Sequence, residues 1–224
     1  MQFAQQGHVL EFAHELKNHL TFLKASCFDL SRRTDSEDPG FSHHLHMLKE
    51  TINAIEAVLL KLKPSPDGRH DHSYQAIDVG EVVLESLAPW REGLRQKGIR
   101  LKKRIAKRPS YVLGDRERLK IALRNLIANA CDAMPDGGML KISVELRQDM
   151  VDVRVVDTGC GIPKEVLSKL GEPYFTTKGN GTGLGVHLSK KIAHDHKGEL
   201  RFKTGSWGSC FILSLPLVKA EVEL

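Results

Sequence analysis

Apolar residues in the first 63 positions recur at alternating steps of three and four, a spacing typical of long helices that pack along a seam. One run extends from Ala13 to Leu30, and a second extends from Leu45 to Leu62. Chain-breaking residues at 34–40 separate the two runs, so the pattern predicts an antiparallel helical hairpin. A single hairpin cannot bury both seams well. We therefore expect a homodimer in which two copies form a four-helix bundle.

The hydrophobic period changes after residues 64–75, which contain prolines, a glycine and polar residues. We therefore divide the chain into a helical hairpin at 1–63, a linker at 64–75 and a second domain at 76–224. In the second domain, a capping box at Asp78–Glu81 predicts a helix to about Gln96. The remaining helical and alternating patterns predict a strand at 99–105, a helix at 115–134, a strand hairpin at 139–146 and 151–157, a helix at 185–196 and strands at 199–204 and 209–215. This order predicts an α+β chain whose second domain is an α/β sandwich, with helices on one face of a mixed sheet.

The composition is that of a soluble globular protein, with 41% apolar and 27% charged residues among 224. No apolar run is long enough to cross a membrane, and the first residues lack the pattern of a signal peptide. We expect a cytoplasmic segment without membrane contact, with any input or membrane-anchoring region located before residue 1. The four cysteines are far apart and are interpreted as reduced thiols. The net charge of +5 is mild, and the basic stretch at 100–108 favours the open face of a strand over a nucleic-acid site.

Two glycine clusters indicate a phosphate-binding site. Asp157–Gly161 reads Asp-Thr-Gly-Cys-Gly, Gly181–Gly185 reads Gly-Thr-Gly-Leu-Gly, and Lys178 lies between them. Glycines let backbone amides approach phosphates, and a carboxylate at a strand end can accept a hydrogen bond from a base. Neither cluster has the spacing of a P-loop or of a dinucleotide-binding turn, and each one alone could be a pair of tight turns.

A second group of polar residues lies at helical spacing. Asn125 and Asn129 are four residues apart, so both amides face the same side of one predicted helix.

His14 follows the seam residue Ala13, so its imidazole should flank the buried stripe and reach solvent. An imidazole, with a pKa of about 6.5, is largely neutral and nucleophilic at cellular pH. Glu15 can accept the proton from one ring nitrogen as a general base while the other nitrogen attacks a phosphoryl group.

Taken in this order, the motifs resemble the core of a sensor histidine kinase over nearly the whole chain. The motif regions that carry the resemblance are the phospho-acceptor box at Phe12–Asn18, the asparagine helix at Asn125–Ala133, the Asp157–Ile162 loop, the aromatic box at Glu172–Lys178 and the glycines at Gly181–Gly185. The resemblance implies a dimerisation and phosphotransfer hairpin, then an ATP-binding domain of the Bergerat type, as in histidine kinases and gyrase-like ATPases. It implies autophosphorylation of His14 from Mg²⁺-ATP and transfer of the phosphoryl group to an aspartate in the receiver domain of a response regulator. It also implies that Asn18 positions a water molecule for dephosphorylating that regulator.

The resemblance also implies roles for the nucleotide-binding residues. Asn129 is implied as the Mg²⁺ ligand, and Asn125 lies beside the phosphates where related ATPases carry a glutamate. Asp157 is implied to accept a hydrogen bond from the adenine amino group. The other implied nucleotide-binding residues are Gly159, Gly161 and Ile162 beneath the base, Phe175, Thr177 and Lys178 before the lid, and Gly181, Thr182, Gly183, Leu184 and Gly185 around the β- and γ-phosphates.

Two positions depart from the family pattern. His19 stands where the phospho-acceptor box usually carries proline, and Asp132 stands where many members carry lysine. His19 is a competing acceptor, but at five residues' separation it points about 140° away from His14 around a helix. Two alternatives therefore remain open: an ATPase or protein-serine kinase of the same fold, and a dimeric scaffold that binds ATP without transferring phosphate.

Overall fold

The computed structural model describes residues 74–173, 175–178 and 183–218, together with Leu23, Leu48, Ile52 and Ile55. These four single residues are seam positions of the predicted hairpin, and all four are helical. The rest of the hairpin and most of the linker lie outside the described residues. By its contacts the chain divides into two compact units, one comprising Met1–His70 with Tyr174–Leu184 and the other Asp71–Pro173 with Gly185–Leu224. Within the described part of the chain, no helix has the length and apolar character needed to span a membrane.

The second unit alternates helices and strands in the order that the sequence predicts, with one addition. Its elements are β1 Tyr74–Asp78, α1 Val79–Leu87, α2 Arg91–Gln96, β2 Ile99–Arg104, β3 Tyr111–Asp115, α3 Arg116–Asp132, β4 Gly138–Arg147, β5 Met150–Val156, α4 Gly185–Asp195, β6 Glu199–Gly205 and β7 Gly208–Pro216, with 3₁₀ turns at Ala88–Trp90 and Lys164–Lys169. The addition is a two-stranded antiparallel ribbon of β1 and β3, which the sequence analysis did not predict.

A five-stranded mixed sheet forms the core of this unit. Its order is β2-β4-β5-β7-β6, and only the β2–β4 pair is parallel. Val144, Val153 and Leu213 are register partners on one face of the sheet and are at most 3% exposed. Helices α3 and α4 pack against the sheet, and α1 packs on α3. Burial of this apolar face is the main stabilising contribution, and the predicted α/β sandwich is confirmed.

The helix predicted from Asp78 to Gln96 is interrupted. Asp78 caps α1, as predicted, by accepting hydrogen bonds from the N–H groups of Gly80 at 3.0 Å and Ser110 at 3.1 Å. Glu81 pairs with Arg116 at 3.0 Å and does not complete a capping box. Pro89 lies in the 3₁₀ turn after α1, because proline has no N–H to continue the helical hydrogen bonds. The prediction of one continuous helix was therefore wrong.

His196 connects the ribbon to the helices. Its Nε2 accepts a hydrogen bond from the N–H of Asp115 at 3.0 Å, and its Nδ1 donates to the carbonyl of Ile192 at 2.7 Å. The ring stacks on Tyr74 at a centroid distance of 5.1 Å, and a Cβ on Gly114 would lie 2.5 Å from the imidazole. Burial lowers the pKa of His196 below its usual value, so the neutral ring is favoured. One side chain thus holds the end of α4, the start of α3 and both strands of the ribbon together.

Candidate nucleotide-binding site

Asp157 is the buried carboxylate of the candidate site. It follows the last residue of β5 and is only 2% exposed. Its Oδ1 accepts hydrogen bonds from the N–H groups of Gly159 at 2.9 Å and Ser209 at 3.1 Å. Within the described part of the chain, no hydrogen bond to Oδ2 is found, so this oxygen is available to a ligand. Burial raises the pKa of the Asp157 carboxyl, and the two backbone N–H groups oppose that rise.

The loop after Asp157 needs its two glycines. A Cβ on Gly159 would lie 2.3 Å from the carbonyl oxygen of Ala133, at the end of α3. Gly161 has a φ of +72°, and a Cβ there would lie 2.3 Å from the carbonyl oxygen of Gly205. The loop is also fixed to α3 by the N–H of Cys160, which donates to Ala133 O at 3.2 Å. Close backbone approach therefore explains both glycines of the Asp157–Gly161 motif.

Ile162 continues this loop against the sheet. Its N–H donates to Thr204 Oγ1 at 2.8 Å, and Thr204 Oγ1 lies 3.1 Å from Ser209 Oγ. Ser209 in turn donates its N–H to Asp157. The β6–β7 hairpin thus holds the loop from below, and Asp157, Gly159, Gly161 and Ile162 form one local structure.

The asparagine pair lies on α3, next to the start of α4. Asn125 and Asn129 are half-buried and four residues apart on α3, so their side chains share one side of the helix. Asn125 Nδ2 donates to the carbonyl of Gly185, the first residue of α4, at 3.4 Å. Buried Ser189 donates to the carbonyls of Ala122 at 3.3 Å and Gly185 at 2.8 Å. Asn125 is therefore fixed beside a helix N-terminus, whose partial positive charge attracts anions, and Asn129 lies one turn further along α3.

The donor set suits Mg²⁺ bound together with phosphates. No group of three or more His, Cys, Asp or Glu side chains that could enclose a metal ion occurs among the residues that the structure describes. Mg²⁺ retains several waters and binds through one or two protein oxygens plus substrate phosphates, so an amide oxygen at Asn129 meets this need. The fit depends on phosphates at the start of α4, because the asparagines alone do not form a metal site.

The remaining predicted residues do not all fall within the second unit. Phe175, Thr177, Lys178, Gly183 and Leu184 are described but belong to the other compact unit. Locally, Thr176 Oγ1 accepts a hydrogen bond from the N–H of Lys178 at 3.1 Å, and Gly183 has a φ of +67°. His14, Glu15, Asn18, Gly181 and Thr182 lie outside the described residues.

Four supporting residues escaped the sequence analysis. Thr204 and Ser209 hold the loop at Asp157–Ile162, Ser189 joins α3 to α4, and His187 Nδ1 lies 3.0 Å from the carbonyl oxygen of Gly171. Each of these side chains or N–H groups contacts a residue that is at least 16 positions away in the sequence, so the neighbouring residues do not indicate its role. The alternation that predicted β6 and β7 did place Thr204 and Ser209 at adjoining strand ends, and this was the one usable indication.

The chain is similar to known proteins in both sequence and fold. Residues 114–219 match the family described as "Histidine kinase-, DNA gyrase B-, and HSP90-like ATPase". Sporulation kinase A of Bacillus subtilis (strain 168) is 31% identical over 205 residues, which cover 91% of this chain and 33% of that protein. The chain thus spans about a third of the length of this curated relative.

Two solved structures of one kinase are also similar. The catalytic domain of histidine kinase ThkA is 33% identical with a TM-score of 0.60, and the match covers 64% of this chain and 95% of that domain. The complex of ThkA with the response regulator protein TrrA is similar in fold, with a TM-score of 0.62 at 24% identity, covering 95% of this chain and 61% of that one.

Proposed function

The chain belongs to the histidine kinase family, and we propose that it binds Mg²⁺-ATP around Asp157 and transfers the γ-phosphoryl group to its own His14. The observation that carries this proposal is the shared support of two half-sites. The end of α3 holds the loop after Asp157 through Ala133, and α3 also carries Asn129 and Asn125, the latter in contact with the start of α4. A base site and a phosphate site on one helix suit a nucleoside triphosphate.

Base recognition is assigned to Asp157. Its Oδ1 is occupied by two backbone N–H groups, so Oδ2 is left to accept the adenine 6-amino group. Guanine carries an acceptor at that position, and a carboxylate would repel it. This pocket should therefore prefer ATP over GTP, with Ile162 and the glycines of the loop lying beneath the base.

Phosphate binding is assigned to the start of α4. We assign the backbone amides of the Gly181–Gly185 motif, whose last residue begins α4, to the β- and γ-phosphates, and Lys178 to neutralising their charge. Mg²⁺ at Asn129 would supply charge neutralisation of the phosphates. Asn125 has an amide that cannot accept a proton, so the site lacks the base that would activate water against ATP. ATP should thus survive until the histidine arrives.

Phosphoryl transfer is assigned to the hairpin. One ring nitrogen of His14 attacks the γ-phosphorus, the bond from γ-phosphorus to the bridging oxygen breaks, and ADP leaves. Glu15 takes the proton from the other ring nitrogen. Catalysis is then mainly positioning and charge neutralisation. We further propose that the homodimer passes the phosphoryl group to an aspartate of a response regulator receiver domain, and that Asn18 positions water for regulator dephosphorylation.

The test is incubation with γ-labelled ATP followed by acid treatment of the labelled protein. We expect acid-labile label on the wild-type chain, none on His14→Gln, and normal label on the matched variant His19→Gln. Acid-stable label would indicate a hydroxyl acceptor and a protein-serine kinase. Nucleotide binding without any label would indicate a scaffold, and loss of label in His19→Gln alone would move the acceptor to His19.

A further inference from the structure

The edge strand β2 has an open backbone. It is the last strand on one side of the five-stranded sheet, and among the described strands it pairs only with β4. Among the described residues, no backbone hydrogen bond outside the sheet ladder involves residues 99–104. The outward N–H and C=O groups of β2 are therefore open to pairing with another extended segment.

Four cations stand together along this edge, on the sheet face opposite the helices. Arg100, Lys102 and Arg104 alternate along β2, and Lys141 is the register partner of Lys102 on β4. All four are exposed, and none makes an ion pair with any residue that the structure describes. Like charges on adjacent positions repel one another, so this edge favours a negatively charged neighbour.

On the same face of the sheet, the charged side chains at the β4–β5 pair form ion pairs with one another. Asp152 on β5 accepts a hydrogen bond from Ser214 Oγ at 2.7 Å and lies 3.4 Å from Arg147 Nε. Arg154 Nε is 3.3 Å from Glu145. Arg147 and Arg154 therefore have carboxylate partners within the fold, whereas the three cations on this face of β2 and the neighbouring Lys141 form a cluster that has none among the described residues.

A groove with an apolar floor and basic sides lies on the other face of the same edge. It has a volume of about 460 Å³ and lies between α2 and β2. Leu94, Ile99 and Leu101 form its apolar surface, and the cations on its lining are Arg91, Arg95 and Lys103. Leu94 and Ile99 are only 2% and 4% exposed, so they are a fixed floor rather than mobile side chains.

We propose that β2 is the docking edge for an extended acidic segment of a partner protein, in which acidic and apolar residues alternate. Side chains of a strand point to opposite faces in turn. A segment paired with β2 would therefore place its acidic residues beside Arg100, Lys102 and Arg104 and its apolar residues in the groove at Leu101. The cations that attract this segment also repel basic strands, so they give the open edge specificity.

The test uses a fluorescein-labelled peptide of about eight residues that alternates glutamate and valine, titrated with the full chain by fluorescence anisotropy. We expect Lys102→Glu to weaken binding by about tenfold, because one attraction is replaced by a repulsion. The matched variant Lys203→Glu makes the same change on β6, the opposite edge strand, and should alter affinity by less than about twofold. Methylation of alternate backbone nitrogens of the peptide should abolish binding, because it removes the hydrogen bonds to β2.

Three results would overturn the proposal. The first is no binding of the unmethylated peptide at about 1 mM, which is the weakest affinity of interest. The second is equal weakening by the substitutions at Lys102 and Lys203. The third is equally tight binding of the methylated peptide or of single-stranded RNA, which would make this edge a general polyanion surface instead of a strand-docking site.

Discussion

Replacement of Asp157 by asparagine should lower the affinity for ATP without lowering the free energy of unfolding. In Asp157→Asn the side-chain oxygen can still accept from the N–H groups of Gly159 and Ser209, because both bonds end on one oxygen atom. The new amide nitrogen then takes the place of Oδ2 and points a donor at the adenine amino group. A hydrogen bond to a charged group is worth about 1.5–3 kcal/mol, so ATP affinity should fall by roughly 10–150-fold.

The stability of Asp157→Asn should be unchanged or higher at neutral pH. Burial raises the pKa of Asp157 in the folded protein, which means that its ionised form is disfavoured relative to the unfolded chain. Asparagine imitates the neutral form and removes that penalty. Asp157→Ala should instead destabilise the protein by about 1–3 kcal/mol, because the buried N–H of Ser209 loses its acceptor.

Isothermal titration calorimetry with ATP and inosine triphosphate, together with thermal unfolding, measures both effects. Inosine carries an acceptor in place of the amino group, so it should bind Asp157→Asn more tightly than it binds the wild type. Asp152→Asn is the matched control, since Asp152 is equally buried but lies on β5 and faces the opposite side of the sheet. The reasoning is refuted if Asp157→Asn keeps ATP affinity within about twofold, or if Asp152→Asn loses as much affinity.

Three further predictions concern the support of the site. Because burial lowers the pKa of His196 in the folded protein below its usual 6.5, the free energy of unfolding should fall as the pH drops below 6.5, by up to about 1.4 kcal/mol per pH unit. Chemical denaturation should show a smaller slope with pH in His196→Ala, and an unchanged slope in the control His194→Ala, whose ring is exposed. Equal slopes in the two variants would contradict this prediction. Gly159→Ala should lower the free energy of unfolding by about 1–3 kcal/mol, because the new Cβ would clash with Ala133. The control is Gly93→Ala in α2, where a Cβ would meet open space, and thermal unfolding should show it to be neutral or stabilising. Ser189→Ala should cost about 1 kcal/mol and speed amide hydrogen exchange in the first turn of α4, and unchanged exchange there would show that the serine does not hold that turn.

The alternation of apolar residues along the sequence predicts most of the sheet. The hairpin of β4 and β5, the helix α3 and the strands β6 and β7 were predicted to within a few residues, because each has a long periodic pattern. The β1–β3 ribbon was missed because each strand has only five residues, and because Tyr111–Asp115 runs directly into a helix. Its stability depends on His196, which lies 81 residues from Asp115, and local pattern carries no information at that distance.

In the candidate site too, local pattern indicates some residues, while others depend on contacts that are distant in sequence. Asp157, Asn125 and Asn129 could be found because strand ends and helical spacing fix where such side chains point. Thr204 could not be found, because its role is to hold the N–H of Ile162, which is 42 residues earlier in the chain. The predicted roles of His14, Glu15 and Asn18 stay predictions, since these residues lie outside the described part of the chain.

Helix α3 supports both the loop after Asp157 and the start of α4, and this limits how the affinity for nucleotide can change by mutation. Cys160 anchors the base loop to the end of α3, and Asn125 anchors the start of α4 to its middle. With nucleotide bound as proposed, a substitution that shifts α3 moves the loop after Asp157 and the start of α4 together, so we expect it to change the affinities for ATP and ADP in parallel.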